Sequence, residues 1–215
     1  MTALIGVFGT GGCGRGILPF LRPQLDRNSR LVFVDDAPSA TQLNGQPVLS
    51  WQQFLSDTST RKSLCLAVAD PVSRARLYER CIKAGITIVE ATASNIVIMD
   101  DVQIGEGACL SPFVTLTSNI TIGKCFHANL YSYVEHDCRI GDFVTFGPGA
   151  KCNGNVVIGD QTYVGSNAVI KQGSRDNPLV IGKGAIVGMG AVVTRSVPPG
   201  ATVVGNPARV MAGKV

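Results

Sequence analysis

The chain has 215 residues, is 45% hydrophobic and 16% charged, and carries a formal charge of +4. Such a composition buries a core and excludes a disordered chain. The charge is mild and scattered, with no Lys/Arg run. That excludes a nucleic-acid binder and suits a small anionic ligand such as a nucleotide.

No apolar stretch approaches the roughly 18 residues of a membrane span, so no membrane insertion is expected. Residues 1–12 have no basic leader and reach glycines after a short apolar run, which reads as a first strand rather than a signal peptide. The seven cysteines form no C-x-x-C pair and read as free thiols of a reducing, cytoplasmic setting.

The first third alternates apolar strands with helices. An apolar run at 3–8 leads into Gly9-Thr10-Gly11-Gly12-Cys13-Gly14, then a helical stretch over 15–25. A second strand at 31–34 ends in Asp35-Asp36. Residues 41–60, with Trp51 and Phe54, read as a connecting loop with a short helix. A third strand at 64–69 precedes Asp70-Pro71 and a helix over 72–84, and 86–89 is a fourth strand. This order predicts a small parallel, Rossmann-like α/β sheet over residues 1–94.

Glycines between a strand and a helix offer backbone amides and a helix dipole to a phosphate. Gly9, Gly11, Gly12 and Gly14 are therefore candidate ligand residues. Asp35 and Asp36, at the end of the second strand, stand where an acidic residue grips a ribose. Asp70, after the third strand, is placed in the same pocket. The usual reading of such a loop is a nicotinamide cofactor, but four strands in about 90 residues favour one nucleotide over two.

From residue 98 the period changes. Every sixth residue is small or apolar: Ile98, Ile104, Leu110, Leu116, Ile122, Ala128, Val134, Ile140, Phe146, Cys152, Ile158, Val164 and Ile170. Neither a helix, with period 3.6, nor a lone strand, with period 2, gives this spacing. It marks a parallel β-helix, assigned to residues 95–215. Glycine often follows the inward residue, as at Gly105, Gly123, Gly141 and Gly159, where it is expected to permit a tight corner. Residues 172–179 break the count by five and read as an external loop. Ile181, Val187 and Val193 resume it, and 197–215 reads as a proline-bearing tail.

Of the two histidines, His136 falls two residues after inward Val134, near a corner where a side chain reaches outward. A histidine suits proton removal near neutral pH, and Asp137 or Glu135 is placed to orient it. His127 reads as a surface histidine. A zinc site of β-helix carbonic anhydrase type needs three histidines, so no metal is expected.

Four segments carry a resemblance: the Gly9–Arg15 loop, Tyr133-Val134-Glu135-His136-Asp137-Cys138-Arg139-Ile140-Gly141-Asp142, Gly149-Ala150-Lys151-Cys152-Asn153-Gly154-Asn155, and Gly205-Asn206-Pro207-Ala208-Arg209. Through them the chain resembles the left-handed β-helix acyltransferases of the hexapeptide-repeat superfamily. It is most similar to their two-domain sugar acetyltransferases, which include sialic-acid O-acetyltransferase-like proteins and N-acetyltransferases of nucleotide-linked 4-amino-6-deoxy sugars.

The resemblance implies a homotrimer with acetyl-CoA between neighbouring β-helices, His136 as catalytic base and Asp137 as its acidic partner. It maps acetyl-CoA contacts onto Gly154, Ser166 and Met189, and an acceptor contact onto Asn129. Thr145 stands where related N-acetyltransferases carry a second histidine toward the cofactor or substrate. The N-terminal pocket is implied to hold the nucleotide of a UDP- or GDP-linked amino sugar destined for a bacterial surface glycan. Alternatives are O-acetylation of a sugar such as sialic acid, and a non-catalytic trimer that only binds the nucleotide sugar. One geometric expectation is specific: His136 and Gly154, eighteen residues apart, stack on one edge.

Overall fold

A computed structural model describes residues 3–211. β1 (Ala3–Phe8) is buried along its whole length and forms the middle of a six-stranded sheet. It pairs in parallel with β2 (Ser29–Asp35) and, after the intervening β3 (Gln42–Leu43) and β4 (Gln46–Ser50), with β5 (Arg61–Leu66). β6 (Thr87–Ile88) lies outside β5. The sheet order is β3-β4-β2-β1-β5-β6.

The sequence reading of 41–60 as a connecting loop with a short helix needs correction in its first part. β3 and β4 form an antiparallel hairpin across Asn44-Gly45, both with positive φ. That pair is the favoured filling of a two-residue hairpin turn. α2 (Trp51–Ser56) follows, capped by Ser50 with a reciprocal bond from Gln53.

α1 (Gly12–Leu21) starts three residues earlier than its apolar pattern suggested and packs Ile17, Leu18 and Leu21 on one face of the sheet. α2 and α3 (Pro71–Lys83) cover the other face, through Trp51, Phe54, Ala75, Leu77 and Cys81.

The rest of the chain is a left-handed β-helix of three parallel sheets. Each strand pairs with the one eighteen residues later: Cys109 with His127, His127 with Thr145, Tyr133 with Lys151. One coil is therefore three six-residue sides. The first coil begins with strand Ala91–Thr92, ahead of the 94/95 change of period. Ile98 counts as inward yet is 44% exposed, because it lies in this uncovered first coil. From Leu110 to Val203 the inward residues form one continuous core.

The insertion falls where the count broke. Val156 pairs with Leu179 and Ile158 with Ile181, so the extra residues protrude and the register survives. The tail, by contrast, is not outside the stack. Val197 bridges to Ile181, and strand Thr202–Val204 pairs with Ile186–Val187, adding a last coil.

The glycines after inward residues also need a different explanation. The left-handed residue of each corner lies three after the inward one: Phe113, Asn119, Cys125, Tyr131, Asp137 and Asn155 all have φ between 51° and 66°. Gly123, Gly141 and Gly159 are instead needed for close stacking. A Cβ there would lie 2.5–2.7 Å from the next coil's backbone nitrogen.

The α/β sheet and the β-helix share their cores. Ala91 and Cys109 join the α1 side, while Cys125 and Phe143 join the α3 side. Arg74 of α3 bolts the junction. Fully buried and without a carboxylate partner, it donates to the carbonyls of Cys125, Val68, Ala69, Phe143 and Val144 at 2.7–3.2 Å. Burial lowers its pKa to about 10, which leaves it charged at neutral pH.

Candidate active site

His136 and Asp137 occupy the corner between the second and third sides of the third coil. Asp137 takes the left-handed conformation (φ 58°), and its Oδ2 lies 2.7 Å from Nδ1 of His136. That hydrogen bond holds the imidazole pKa above its ordinary value. The His136 side chain is 52% exposed, and its Nε2 has no hydrogen-bond partner among the described residues. Glu135 makes no hydrogen bond to the ring; it adds only a weaker electrostatic pull in the same direction.

Gly154 lies one coil further along the same edge, as the spacing required. A Cβ on it would meet Cε1 and Nε2 of His136 at 2.6 Å. The glycine thus lets the next coil close against the imidazole. Asn155 N–H donates to the His136 carbonyl at 3.0 Å and fixes the two corners. The Gly154 N–H has no hydrogen-bond partner among the described residues, and the residue is buried beneath the imidazole.

Asn129, Ser166 and Met189 lie on a different edge, the corner between the first and second sides. They belong to the third, fifth and sixth coils; Gly190 N–H bonds the Ser166 carbonyl, and Met189 is 82% exposed. The Asn129 Oδ1 accepts from Leu130 N–H at 2.8 Å, which leaves its NH₂ available. One side of the prism therefore separates this row from the His136–Gly154 row.

A cleft of about 740 Å³ opens between α1 and the first side of the β-helix. Gly12, Cys13 and Gly16 line one wall; Ser111, Asn129 and Thr145 line the other. α1 has no side-chain cap at its N-terminus, so its first amides are open to an anion. The four glycines of the loop divide by role. Gly9 adopts φ 114°, and a Cβ on Gly14 would sit 1.9 Å from the Gly9 carbonyl, so both are required by the turn. Gly11 and Gly12 meet nothing within 4 Å and leave room for a phosphate.

The acidic candidates have partners of their own. Asp35 accepts from Thr10 Oγ1 at 2.6 Å and from Ala37 N–H at 3.1 Å, which lowers its pKa. Asp36 pairs with Arg80 at 2.8 Å, and that guanidinium stacks on Trp51, 4.0 Å from the ring centre. Asp70 caps α3 through Ser73 N–H at 2.7 Å. Thr145 faces the junction and donates to the Ala69 carbonyl at 2.8 Å.

His127 is not a surface residue. It is 5% exposed, its Nε2 has no hydrogen-bond partner among the described residues, and burial pushes its pKa well below the ordinary value. It lies on the outward face of the first side, beneath the α/β sheet. The hexad pattern marks inward residues only; it carries no signal that another domain covers an outward one.

A left-handed β-helix with an oriented histidine at a corner and an α/β domain on one side defines an acyltransferase of the hexapeptide class. The family model "Bacterial transferase hexapeptide (six repeats)" matches residues 138–172. GDP-perosamine N-acetyltransferase of Escherichia coli O157:H7 is 51% identical over 212 residues, covering 97% of this chain and 96% of that protein. WeeI from Acinetobacter baumannii AYE superposes with a TM-score of 0.94 at 54% identity, over 97% of this chain and 100% of that one. PerB from Caulobacter crescentus, in complex with CoA and GDP-perosamine, superposes with a TM-score of 0.86 at 26% identity over 97% of both chains. The chain belongs to the hexapeptide-repeat sugar N-acetyltransferases. No helix among the described residues is long and apolar enough to cross a membrane.

Proposed function

We propose that the chain transfers the acetyl group of acetyl-CoA to the amino group of a GDP-linked amino-deoxy sugar of the perosamine type. The observation that carries this reading is a half-exposed His136, held by Asp137 at 2.7 Å and stacked against Gly154. The names of the relatives, and the CoA and GDP-perosamine bound to PerB, supply the donor and acceptor classes.

In the proposed mechanism the acceptor amine attacks the thioester carbon while His136 Nε2 takes its proton. Asp137 holds the other ring nitrogen and stabilises the imidazolium. The Gly154 N–H is directed at the oxygen of the tetrahedral intermediate. The C–S bond then breaks, and the imidazolium returns its proton to the CoA thiolate. The nucleotide diphosphate sits at the open amides of α1, and the sugar lies in the 740 Å³ cleft toward Asn129.

Two edges carry this site. His136 and Gly154 stand on one; Asn129, Ser166 and Met189 stand on the other. They converge when one protomer's first edge meets a neighbour's second edge, and cyclic closure of that contact makes a homotrimer. Apolar groups exposed on the second edge support this: Leu130, Met189 and the stacked pair Phe113–Tyr131, with ring centres 4.7 Å apart.

The test is CoA release from acetyl-CoA against GDP-linked and UDP-linked 4-amino sugars and free sialic acid. The expected result is turnover with the GDP-linked amine and a loss on the order of 10²–10⁴ in rate in His136→Ala. Unchanged turnover in that variant overturns the mechanism, and release only with sialic acid overturns the acceptor.

A further inference from the structure

The corner between the first and second sides carries two rings that the core does not need. Its left-handed residues follow one another down the stack as Phe113, Tyr131, Gly149 and Asn167, with φ of 66°, 59°, 66° and 56°. This conformation suits glycine and asparagine and is unfavourable for a bulky side chain. Among the described residues three left-handed corners carry an aromatic ring: Phe113, Tyr131 and Phe143. Phe143 is 8% exposed and packs against Tyr78 in the junction of the two domains. Phe113 and Tyr131 stack on one another and are 50% and 63% exposed. A disfavoured backbone position held by a side chain outside the core points to a role outside the fold.

The two rings are parallel to within 4°, with centres 4.7 Å apart. Paired strands lie about 4.8 Å apart, so the rings stack along the axis of the β-helix. Phe113 covers the upper face of Tyr131. The next residue of the column is Gly149, which sends no side chain against the lower face. Tyr131 therefore presents an aromatic surface in an orientation fixed by the ring above it.

Its place ties that surface to the acceptor. Pro112, Asn129 and Leu130 line the 740 Å³ cleft, and Tyr131 follows them at its outer end, with its N–H on the Pro112 carbonyl at 3.4 Å. Tyr131 lies in the third coil, as His136 does. Cyclic closure around an axis along the prism brings equal levels of two protomers together, so this ring and a neighbour's imidazole stand across the same gap. Further down, the column holds only Gly149 and Asn167. The aromatic surface is thus confined to the level of the cleft and the base, and is missing along the coils of Ser166 and Met189. A pyranose offers an apolar C–H face and polar hydroxyls at its rim; a tyrosine ring complements the first, and its phenol reaches the second.

The geometry points to Tyr131 as a specificity-determining residue for the acceptor: backed by Phe113, its ring stacks on the apolar face of the nucleotide-linked sugar and holds the amino group before the neighbour's His136. This rests on the reading of the chain as an N-acetyltransferase of a GDP-linked amino sugar. The competing occupants of the ring are the neighbouring protomer's own side chains and the nucleotide base, and the experiment separates all three.

The main variant is Tyr131→Asn, because asparagine already holds the equivalent corners at 119, 155 and 167. Tyr131→Phe keeps the stacking face, and Phe113→Asn removes its backing. Each is compared with wild type in KM for the GDP-linked amino sugar, KM for acetyl-CoA, calorimetric binding of GDP alone, and sedimentation mass. Tyr131→Asn is expected to raise the acceptor KM about tenfold, the loss of one ring face of apolar contact, with the other three readings unchanged. Tyr131→Phe should stay close to wild type, and Phe113→Asn should fall between. A wild-type acceptor KM in Tyr131→Asn overturns the proposal. So does an equal loss in binding of GDP alone, which makes the ring a base contact, and so does a loss that follows a falling mass, which makes it an interface residue. If wild type turns over no acceptor, the functional reading fails by itself. Calorimetry with the GDP-linked amino sugar then decides separately: weaker binding in Tyr131→Asn at equal GDP binding upholds the stacking, and equal or absent binding overturns it.

Discussion

His127 and His136 stand nine residues apart in one coil, and the fold treats them in opposite ways. His127 lies under the α/β sheet, where burial and the nearby Arg74 charge disfavour its protonated form. His136 stands at an open corner, where the Asp137 carboxylate favours it. The same side chain is kept neutral in one place and made a stronger base in the other. What decides is whether the outward face of the coil is covered, and by what. The covered region binds two domains together; the open one is where we propose the proton transfer.

The covered region breaks hardest at Arg74. Arg74→Met leaves five buried carbonyl contacts without their donor, and each unpaired buried group costs about 1–3 kcal/mol. A loss of at least about 3 kcal/mol is expected in urea denaturation, and an unchanged midpoint would remove Arg74 as the bolt of the junction.

At the open corner the expected effect is on rate and not on folding. Gly154→Ala drives a methyl to 2.6 Å from the His136 ring. Rotating the imidazole off line should lower kcat about ten- to a hundredfold at nearly unchanged thermal stability. Full activity would show that the stacking of the two corners is not used.

Asp137→Asn sharpens the comparison through pH. A base works deprotonated, so activity rises as pH passes the His136 pKa. Removing the carboxylate lowers that pKa toward about 6.5. The acid limb of the kcat/KM profile should move to lower pH while the plateau falls. A limb that stays in place excludes Asp137 as the source of the shift.

The smallest effect belongs to His127. Its folded pKa lies below the unfolded value of about 6.5. Its contribution is intact above that pH and drains away below it, as the unfolded chain takes up the proton first. His136, with a raised pKa, gives the opposite slope, a contribution present at low pH and lost as pH rises through the folded value. His127→Leu should flatten the fall in denaturation midpoint between pH 7.5 and pH 5.5; an equal fall in both proteins assigns acid sensitivity to other groups.

Much of this was legible in the sequence because the hexad period counts levels as well as faces. It put His136 and Gly154 on one edge, and the geometry has their atoms in contact. It located the bulge at 172–179, within one residue of the observed 171–178, since a parallel stack restores its register after an insertion. Four features escaped it for physical reasons. The Asn44-Gly45 turn is a two-residue signal easily lost beside strands as short as Gln42–Leu43. The sixth coil, from Ile186 to Thr202, is two residues shorter than the regular eighteen-residue coil, so 197–204 falls off the period although Thr202 pairs with Ile186. The burial of His127 is set by another domain, and no periodicity within the β-helix encodes it. The cleft against α1 escaped for the same reason.

Among the described residues the junction contacts reach to Phe143, at the end of the third coil, and Thr145, at the start of the fourth. Beyond it, each coil of one chain is held by its neighbours alone, and cooperativity becomes that of a one-dimensional chain with one clamped end. Amide exchange should therefore quicken toward Val203, where fraying begins. On the proposed reading, a donor reaching from the His136–Gly154 corner toward the level of Ser166 and Met189 spans the clamped and the free coils. For this lattice it is a splint as well as a substrate, and its binding should slow exchange furthest from the clamp.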